Sequence, residues 1–333
     1  MSAPQRLRSM RQPRRSASSS VLPHSNPPAP HIFLPSQIEG PCALARPFDF
    51  KHRPGYYNAA TKTALLRRAR QGPHDELLVD FSQSEVQIEL RGSDVLLASG
   101  PWTWQASVAG QALVAEGPWS AAGWRRENAC DYLEIKLPLT GGWKLRRHML
   151  LARHERFLFM ADSLLNLTAD PVEIRYAHAL PLVEGVEFRP QRETRDGALV
   201  VDSRRRANLA PPALAEWRAE FCHAELTTHG HRVLLEQAAL GRGLYAPLWL
   251  DLDPARVRRP LTWRRLTVGE NLAIVPRDVA VAYRIQAGRQ QWLIYRSLAP
   301  AGNRSFLGYN TLSSFACLRL SAGAKTEEII DIT

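Results

Sequence analysis

Cysteine is scarce in this sequence of 333 residues, and no Cys-x-x-Cys pair occurs. Zinc ribbons and thioredoxin-type redox sites need closely spaced thiols, so neither class is expected. Apolar runs are short, and none reaches the about 18 residues typical of a transmembrane helix. The N-terminus also has no apolar core of a secretory signal. We therefore expect a cytoplasmic protein without a membrane span, with four reduced and mostly buried thiols: Cys42, Cys130, Cys222 and Cys317.

Motifs for cofactors and nucleophilic catalysis are also missing. The chain has no Gly-x-Gly-x-x-Gly, no Walker loop and no Gly-x-Ser-x-Gly elbow, so we expect neither a nucleotide cofactor nor serine hydrolase chemistry. His229 and His231 have a spacing that can chelate a metal, and His223, Glu220 and Glu225 lie nearby. No Asp or Cys completes a ligand motif, so no metal site is predicted.

Positive charge is abundant but unevenly placed. The net charge is +11, from 43 Lys and Arg against 32 Asp and Glu. Such an excess suits nucleic acid, an anionic membrane or an acidic glycan. Much of it lies in the N-terminal tail, and the rest is scattered, so nucleic acid is not the expected partner. Five arginines precede the first acidic residue, Glu39: Arg6, Arg8, Arg11, Arg14 and Arg15.

Composition divides the chain into three parts. Residues 1–38 are rich in Arg, Ser and Pro and are predicted to be a disordered basic tail, since they bury too little apolar surface. Residues 39–75 form a lead-in, in which Asn58 is predicted to cap a short helix over residues 59–70. Residues 76–333 are predicted to form one β-sandwich domain.

The stretch 131–182 carries the clearest strand pattern. Apolar and polar residues alternate from residue 132 to 137, as expected of a half-buried strand. Turn signals separate three further runs, and the run 157–165 is apolar enough to be buried on both faces. Strand-like runs recur along the rest of the chain, about fifteen or more in all, without βα alternation. The sequence therefore predicts an all-β, large antiparallel two-sheet sandwich.

A family resemblance rests on short strand motifs. Residues 143–165 (Trp-Lys-Leu-Arg-Arg-His-Met-Leu-Leu, a turn, then Phe-Leu-Phe-Met-Ala-Asp-Ser-Leu) resemble the β-sandwich part of heparinase II/III-like polysaccharide lyases. Residues 291–298 and 303–308 also suit a supersandwich of the galactose-mutarotase-like type. The resemblance covers roughly residues 76–331 and implies a supersandwich fold and an association with acidic glycans.

The sequence departs from this family in one respect. Such lyases carry an N-terminal helical toroid that supplies much of the cleft and the catalytic residues. The proline-rich residues before position 76 cannot build a toroid, so the sandwich alone is expected. The paired histidines and carboxylate base of the mutarotases match no position here, and no catalytic residue is carried over.

Four residues are candidates for catalysis. His178 shares a strand face with apolar residues and is either a general base or a core histidine with a satisfied hydrogen bond. Arg147 lies inward and is expected either to pair with Asp162 or to bind a sugar carboxylate. Tyr295 and Arg296 together could abstract a proton and neutralise a carboxylate, or could simply tie down a loop.

Four further residues are candidates for substrate binding. Trp119 and Trp124 flank a Ser-Ala-Ala-Gly loop and are the tryptophans predicted to be exposed for stacking on sugar rings, although core packing is the default. Arg304 and Asn310 belong to a polar and aromatic group around a Pro-Gly-rich loop.

Three functions are compatible with these features. The first is a carbohydrate-associated sandwich that binds an acidic polysaccharide or oligosaccharide. The second is a polysaccharide lyase or sugar epimerase acting on uronic-acid glycans, which needs its candidate residues in one cleft. The third is a non-catalytic module that offers edge strands to a protein partner.

Overall fold

The computed structural model describes residues 55–68, 74–321 and 326–333, all within one unit, Cys42–Thr333. In this part the chain forms 26 strands, numbered β1 to β26 in chain order, and no α-helix. One 3-10 turn, Thr140–Gly142, is also present. Every strand pairing is antiparallel, and the strands form four sheets. No helix in the described part is long and apolar enough to cross a membrane.

The first sheet has nine strands in the order β1-β2-β3-β4-β5-β11-β16-β15, with β6 paired to β5. Its longest strand is β5, which continues the sheet past a glycine into a tryptophan-rich segment. The bounds are β1 (Tyr56–Asn58), β2 (Thr63–Arg67), β3 (Glu76–Asp80), β4 (Val86–Gly92), β5 (Val95–Val108), β6 (Gln111–Ala112), β11 (Val172–Pro181), β15 (Ala224–His229) and β16 (Arg232–Gly241).

The second sheet has eight strands in the order β12-β13-β14-β17-β10-β9-β8-β7. Strands β8, β9 and β10 are consecutive neighbours, as their short connecting turns predict. The bounds are β7 (Ser120–Arg126), β8 (Cys130–Pro138), β9 (Lys144–Ala152), β10 (Phe157–Leu165), β12 (Val186–Pro190), β13 (Gly197–Val201), β14 (Arg204–Ala210) and β17 (Gly243–Asp251).

Two smaller sheets come from the C-terminal part of the chain. The five-stranded sheet has the order β18-β21-β22-β25-β26, and the four-stranded sheet has the order β20-β19-β23-β24. The bounds are β18 (Leu261–Leu266), β19 (Gly269–Glu270), β20 (Ala273–Ile274), β21 (Ala280–Ala287), β22 (Gln290–Ser297), β23 (Arg304–Phe306), β24 (Tyr309–Thr311), β25 (Phe315–Leu320) and β26 (Thr326–Ile332).

Three hydrophobic cores separate the four sheets. In β10, Leu158 and Met160 lie in the first core, between the nine- and eight-stranded sheets. Phe157 and Phe159 of the same strand lie in the second core, between the eight- and five-stranded sheets. The third core lies between the five- and four-stranded sheets and contains Phe306. The alternation of strand side chains thus explains why β10 is buried on both faces.

The all-β antiparallel fold predicted from sequence is confirmed, and the structure adds two sheets beyond the predicted pair. The predicted helix over 59–70 is wrong where it can be compared, because residues 59–62 form a turn and Thr63–Arg67 is strand β2. The amide oxygen of Asn58 caps that turn, accepting from the N–H groups of Ala60 and Thr61. Leu65 and Leu66 are buried by sheet pairing rather than by a helix face.

The stretch 131–182 contributes strands to two different sheets. The fourth strand of the stretch 131–182 does not continue the meander: after Asp170-Pro171 the chain crosses to the nine-stranded sheet, where β11 pairs with β5 and β16. The proline break allows that change of sheet. The predicted disordered tail, residues 1–38, and the lead-in up to residue 54 lie outside the described residues.

Candidate functional site

Arg147 and Asp162 form a buried ion pair in the first core. The guanidinium donates to both carboxylate oxygens, at 2.8 and 2.9 Å, and to the carbonyl oxygen of Trp102 at 2.7 Å. It also stacks 3.6 Å from the centroid of the Trp102 ring. Burial alone would raise the pKa of Asp162, but the charge and hydrogen bonds of Arg147 hold it below its ordinary value. Arg147 thus pairs with Asp162, which is the partner expected for an inward arginine.

His178 belongs to the same buried network. The indole N–H of Trp102 donates to His178 Nδ1 at 2.9 Å, so this nitrogen is the acceptor. The hydroxyl of Tyr176 donates to Asp162 at 2.5 Å. His178 Nε2 is buried and has no hydrogen-bond partner in the described part of the chain. His178 is thus a buried core histidine that is hydrogen-bonded at one of its two ring nitrogens.

Arg296 lies in a second polar network, in the second core. It donates to Glu134 Oε1 at 2.7 Å, and the hydroxyl of Tyr132 donates to Glu134 Oε2 at 2.8 Å. Burial by itself would raise the pKa of Glu134, but the charge and hydrogen bond of Arg296 lower it to about 2. His148 Nε2 lies 2.7 Å from the hydroxyl of Tyr245, and burial, reinforced by the charge of Arg296, lowers the pKa of His148 to about 3.

Tyr295 and Arg304 are buried at the third core. Tyr295 is buried and stacks on Phe306 with ring centroids 5.1 Å apart. Arg304 is also buried; it donates to Ser297 Oγ at 2.6 Å, to the carbonyl oxygen of Pro300 at 3.0 Å, and to the Tyr295 hydroxyl at 3.3 Å. These contacts tie down the loop, as the structural alternative predicted.

The catalytic candidates do not share a cleft. Arg147 and His178 belong to the first core, Arg296 to the second, and Tyr295 to the third, because adjacent residues of β22 point to opposite faces. A lyase or epimerase site built from these four residues is therefore not formed.

The binding candidates are also dispersed. Trp119 is fully buried, and its indole N–H donates to the carbonyl oxygen of Ser84 at 3.0 Å, so its predicted exposure is wrong. Trp124 is half-buried beside Tyr57. Asn310 is exposed on the four-stranded sheet.

A groove of about 710 Å³ lies where three sheets meet. It is bordered by strands β15 and β16 at the end of the nine-stranded sheet, by the start of β17, and by β18 and β21 of the five-stranded sheet. The remaining side is formed by residues 213–223, an irregular segment between β14 and β15 that we term the loop wall. None of the eight residues predicted from sequence lines this groove.

One side of the groove is strongly cationic. Arg264 and Arg265 of β18 and Arg277, just before β21, line it and are exposed; we term these three residues the arginine wall. Within the described residues none of them forms an ion pair with a carboxylate. Arginine presents a planar set of donors that matches carboxylate and sulfate groups, so unpaired guanidinium groups here can bind such anions.

The loop wall is aromatic and acidic. Trp217 is 47% exposed and Phe221 is 84% exposed, with Phe221 packed edge-on against His223 at 4.6 Å between ring centroids. The Glu216 carboxylate accepts a hydrogen bond from the backbone N–H of Trp263 at 3.1 Å. Burial raises the pKa of Glu216, although that hydrogen bond and the charge of Arg264 oppose the rise.

The groove floor connects to the second buried network. Tyr245 and Tyr283 line the groove, and their rings stack with centroids 6.3 Å apart. Tyr245 also contacts His148, and the His148 ring reaches the Tyr132 hydroxyl at 3.2 Å. A continuous set of polar contacts therefore runs from the floor to the pair Glu134–Arg296. Tyr132, Tyr245 and Tyr283 all belong to the second core, so the side chains that form the groove floor are held in place by packing.

No metal centre is found among the described residues, in which no group of three or more His, Cys, Asp or Glu side chains could hold an ion. Cys130 and Cys317 are free and buried, and burial raises the pKa of Cys130 to about 12. Such thiols are poor nucleophiles and poor ligands.

Sequence reasoning missed the groove because its residues are far apart in the chain. The pair Arg264-Arg265 was visible only as one of several arginine pairs, and Trp217 only as the start of a strand-like run. No local pattern marks either residue as part of a binding surface.

Similarity to known proteins is found in structure rather than in sequence. No protein-family model and no curated protein matches this chain. The heparan sulfate lyase HepC from Pedobacter heparinus superposes with a TM-score of 0.50 and 9% identity, covering 74% of this chain and 43% of the lyase. A heparinase III gene product superposes with a TM-score of 0.46 and 8% identity, covering 74% of this chain and 42% of that protein.

The superposition on HepC shows a polysaccharide-lyase-like fold. The chain spans less than half of the length of the solved structures that it matches. At 9% identity the likeness concerns the fold alone, and it assigns no role to individual residues.

Proposed function

We propose that this chain binds an acidic oligosaccharide in the groove. The observation that carries the proposal is that the arginine wall and the exposed Trp217 line the same groove. Guanidinium groups bind the carboxylate or sulfate groups of such a ligand, and an indole face stacks on its sugar rings. The fold shared with a heparan sulfate lyase supports the same ligand class.

The proposal is tested by isothermal titration of the full-length protein with heparan sulfate, chondroitin sulfate and uncharged malto-oligosaccharides of equal length. We expect binding of at least one acidic saccharide, weakening as salt is raised, because partly exposed charges are screened. Equal affinity for charged and uncharged saccharides, or binding of none, would refute the proposal.

A second candidate function, lyase or epimerase activity on uronic-acid glycans, is supported only by Glu216. This carboxyl lies in the groove, has a raised pKa and is close enough to Arg264 to sense its charge. A base beside a charge neutraliser is what proton abstraction next to a sugar carboxylate requires. Incubation of a uronic-acid glycan in D₂O tests both reactions: epimerisation returns a deuteron to the carbon that lost its proton, and elimination leaves an unsaturated product that absorbs ultraviolet light. Either signal, if E216Q abolishes it, would support the activity, and neither signal from the wild type would exclude it.

A further inference from the structure

The loop wall has no regular strand or helix to satisfy its backbone groups. Residues 213–223 form turns and bends between β14 and β15, yet they carry the aromatic side of the groove. Backbone carbonyl groups that face the protein interior need hydrogen-bond donors. A single side chain supplies donors to four of them.

That side chain is Arg195, in the turn between β12 and β13. Its Nη1 donates to the carbonyl oxygens of Ala215, at 3.1 Å, and of Trp217. Its Nη2 donates to the carbonyl oxygens of Glu220, at 2.7 Å, and of Arg218, at 3.4 Å. One guanidinium thus holds four carbonyl groups of the loop wall.

The backbone of the same turn adds to this attachment. The N–H of Arg195 donates to the carbonyl oxygen of Glu216 at 2.9 Å, and Thr194 forms an isolated antiparallel bridge with Trp217. The N–H of Arg218 donates to the carbonyl oxygen of Glu193 at 2.8 Å. The backbone is therefore hydrogen-bonded on both sides of Trp217, at Glu216 and at Arg218, while the Trp217 side chain remains exposed.

Arg195 has an unusual environment for a buried arginine. It is 8% exposed, and within the described residues it forms no ion pair with a carboxylate. The neighbouring Asp196 instead accepts a hydrogen bond from the hydroxyl of Thr194. Burying a guanidinium without a carboxylate is costly for stability, so fold stability alone is a poor explanation for its position.

We infer that Arg195 is a positioning residue that fixes the backbone of Trp217, so that its indole is presented as a stacking platform in the groove that the arginine wall also lines. This inference rests on the proposed function and adds to it a determinant of affinity that does not touch the ligand. A platform already ordered in the free protein avoids the entropy loss of ordering a loop on binding. Arg195 therefore favours saccharides long enough to reach from the arginine wall to Trp217.

A double-mutant cycle with R195Q, W217A and the double variant R195Q/W217A tests the inference, with a sulfated hexasaccharide as the ligand. We expect each single variant to bind roughly tenfold more weakly, and the double variant to bind no more weakly than W217A alone. Losses that add in the double variant would overturn the inference, because Arg195 would then act independently of Trp217. R304Q is the matched control: it removes another buried arginine, away from the groove, and should leave the affinity unchanged.

Amide hydrogen exchange provides a measurement that needs no variant. We expect slow exchange of the Arg218 and Glu220 amides in the ligand-free wild type, since both donate to backbone carbonyl groups. Fast exchange that slows only on saccharide addition would overturn the inference and leave the proposed function intact. A W217A variant with full affinity would overturn the inference and also the stacking role of Trp217 in the proposed function, whereas a wild type that binds no acidic saccharide would remove the proposed function itself.

Discussion

At the scale of single residues, the charges of Arg147, Asp162, Glu134 and Arg296 are buried and paired inside the cores. Arg147 is paired, stacked and fully enclosed, and its network was partly predictable because Arg147 and Asp162 lie on adjacent strands of a predicted meander. The location of Trp119 was not predictable, since a tryptophan beside a small-residue loop is compatible with both exposure and burial. Its indole hydrogen bond joins it to Ser84, 35 residues away in the chain.

The pair Arg147–Asp162 gives a stability prediction. We expect D162N to lower the free energy of unfolding by about 3–5 kcal/mol, because it leaves the Arg147 guanidinium buried without its counter-charge. Urea denaturation of the purified variant measures this. The exposed pair Arg189–Glu187 is the control, and R189Q should change stability little. A D162N variant as stable as the wild type would contradict the enclosure of this pair.

His148 gives a prediction about pH. Its pKa is lowered from 6.5 to about 3 in the folded protein, so between these values the unfolded chain binds a proton that the folded protein does not. Stability from this group is therefore fully present above pH 6.5 and is lost progressively as the pH falls toward 3.

Urea denaturation at a series of pH values measures this dependence. H148F is expected to flatten the stability profile below pH 6.5 relative to the wild type, because carboxyl groups with a raised pKa, such as that of Asp251, contribute to both proteins alike. An unchanged profile in H148F would show that His148 is not the group responsible.

At the scale of elements, the alternation of apolar and polar residues predicted strands correctly, whereas the positions of irregular segments could not be predicted. The strands β8, β9 and β10 were predicted from period-2 patterning and turn signals, which are local properties. The segment 59–67 was misread as a helix because a polar cap and several leucines also suit a strand that pairs on both sides. The loop wall has no periodicity, and its position depends on the distant turn that carries Arg195.

The hairpin of β12 and β13 gives a prediction at this scale. A Cβ atom on Gly197 would lie 2.3 Å from the Phe188 ring and 2.8 Å from the carbonyl oxygen of Arg189. We expect G197A to destabilise the protein by about 1–3 kcal/mol, as overpacking does. Thermal unfolding measures the effect. The matched control is G123A in β7, where a Cβ would meet no atom within 4 Å, and equal losses in both variants would contradict the packing described.

At the scale of the whole molecule, four antiparallel sheets enclose three cores, and the groove lies where three of the sheets come together. An all-β antiparallel sandwich could be predicted because alternation is repeated along the chain. The number of sheets and the groove could not, because they depend on pairings between strands far apart in the chain, such as that of Phe157 in β10 with Asp251 in β17. Strands β15 and β18 border the same groove without pairing with each other.

The most direct test of the account is the affinity of an acidic oligosaccharide for the wild type and for two double variants of equal charge. R264S/R265S removes two members of the arginine wall, and R258S/R259S removes an exposed arginine pair that does not line the groove. The account predicts that R264S/R265S weakens binding by about ten- to a hundredfold. It also predicts that R258S/R259S retains near wild-type affinity. Equal losses in the two variants would contradict it, because binding would then follow net charge rather than the groove.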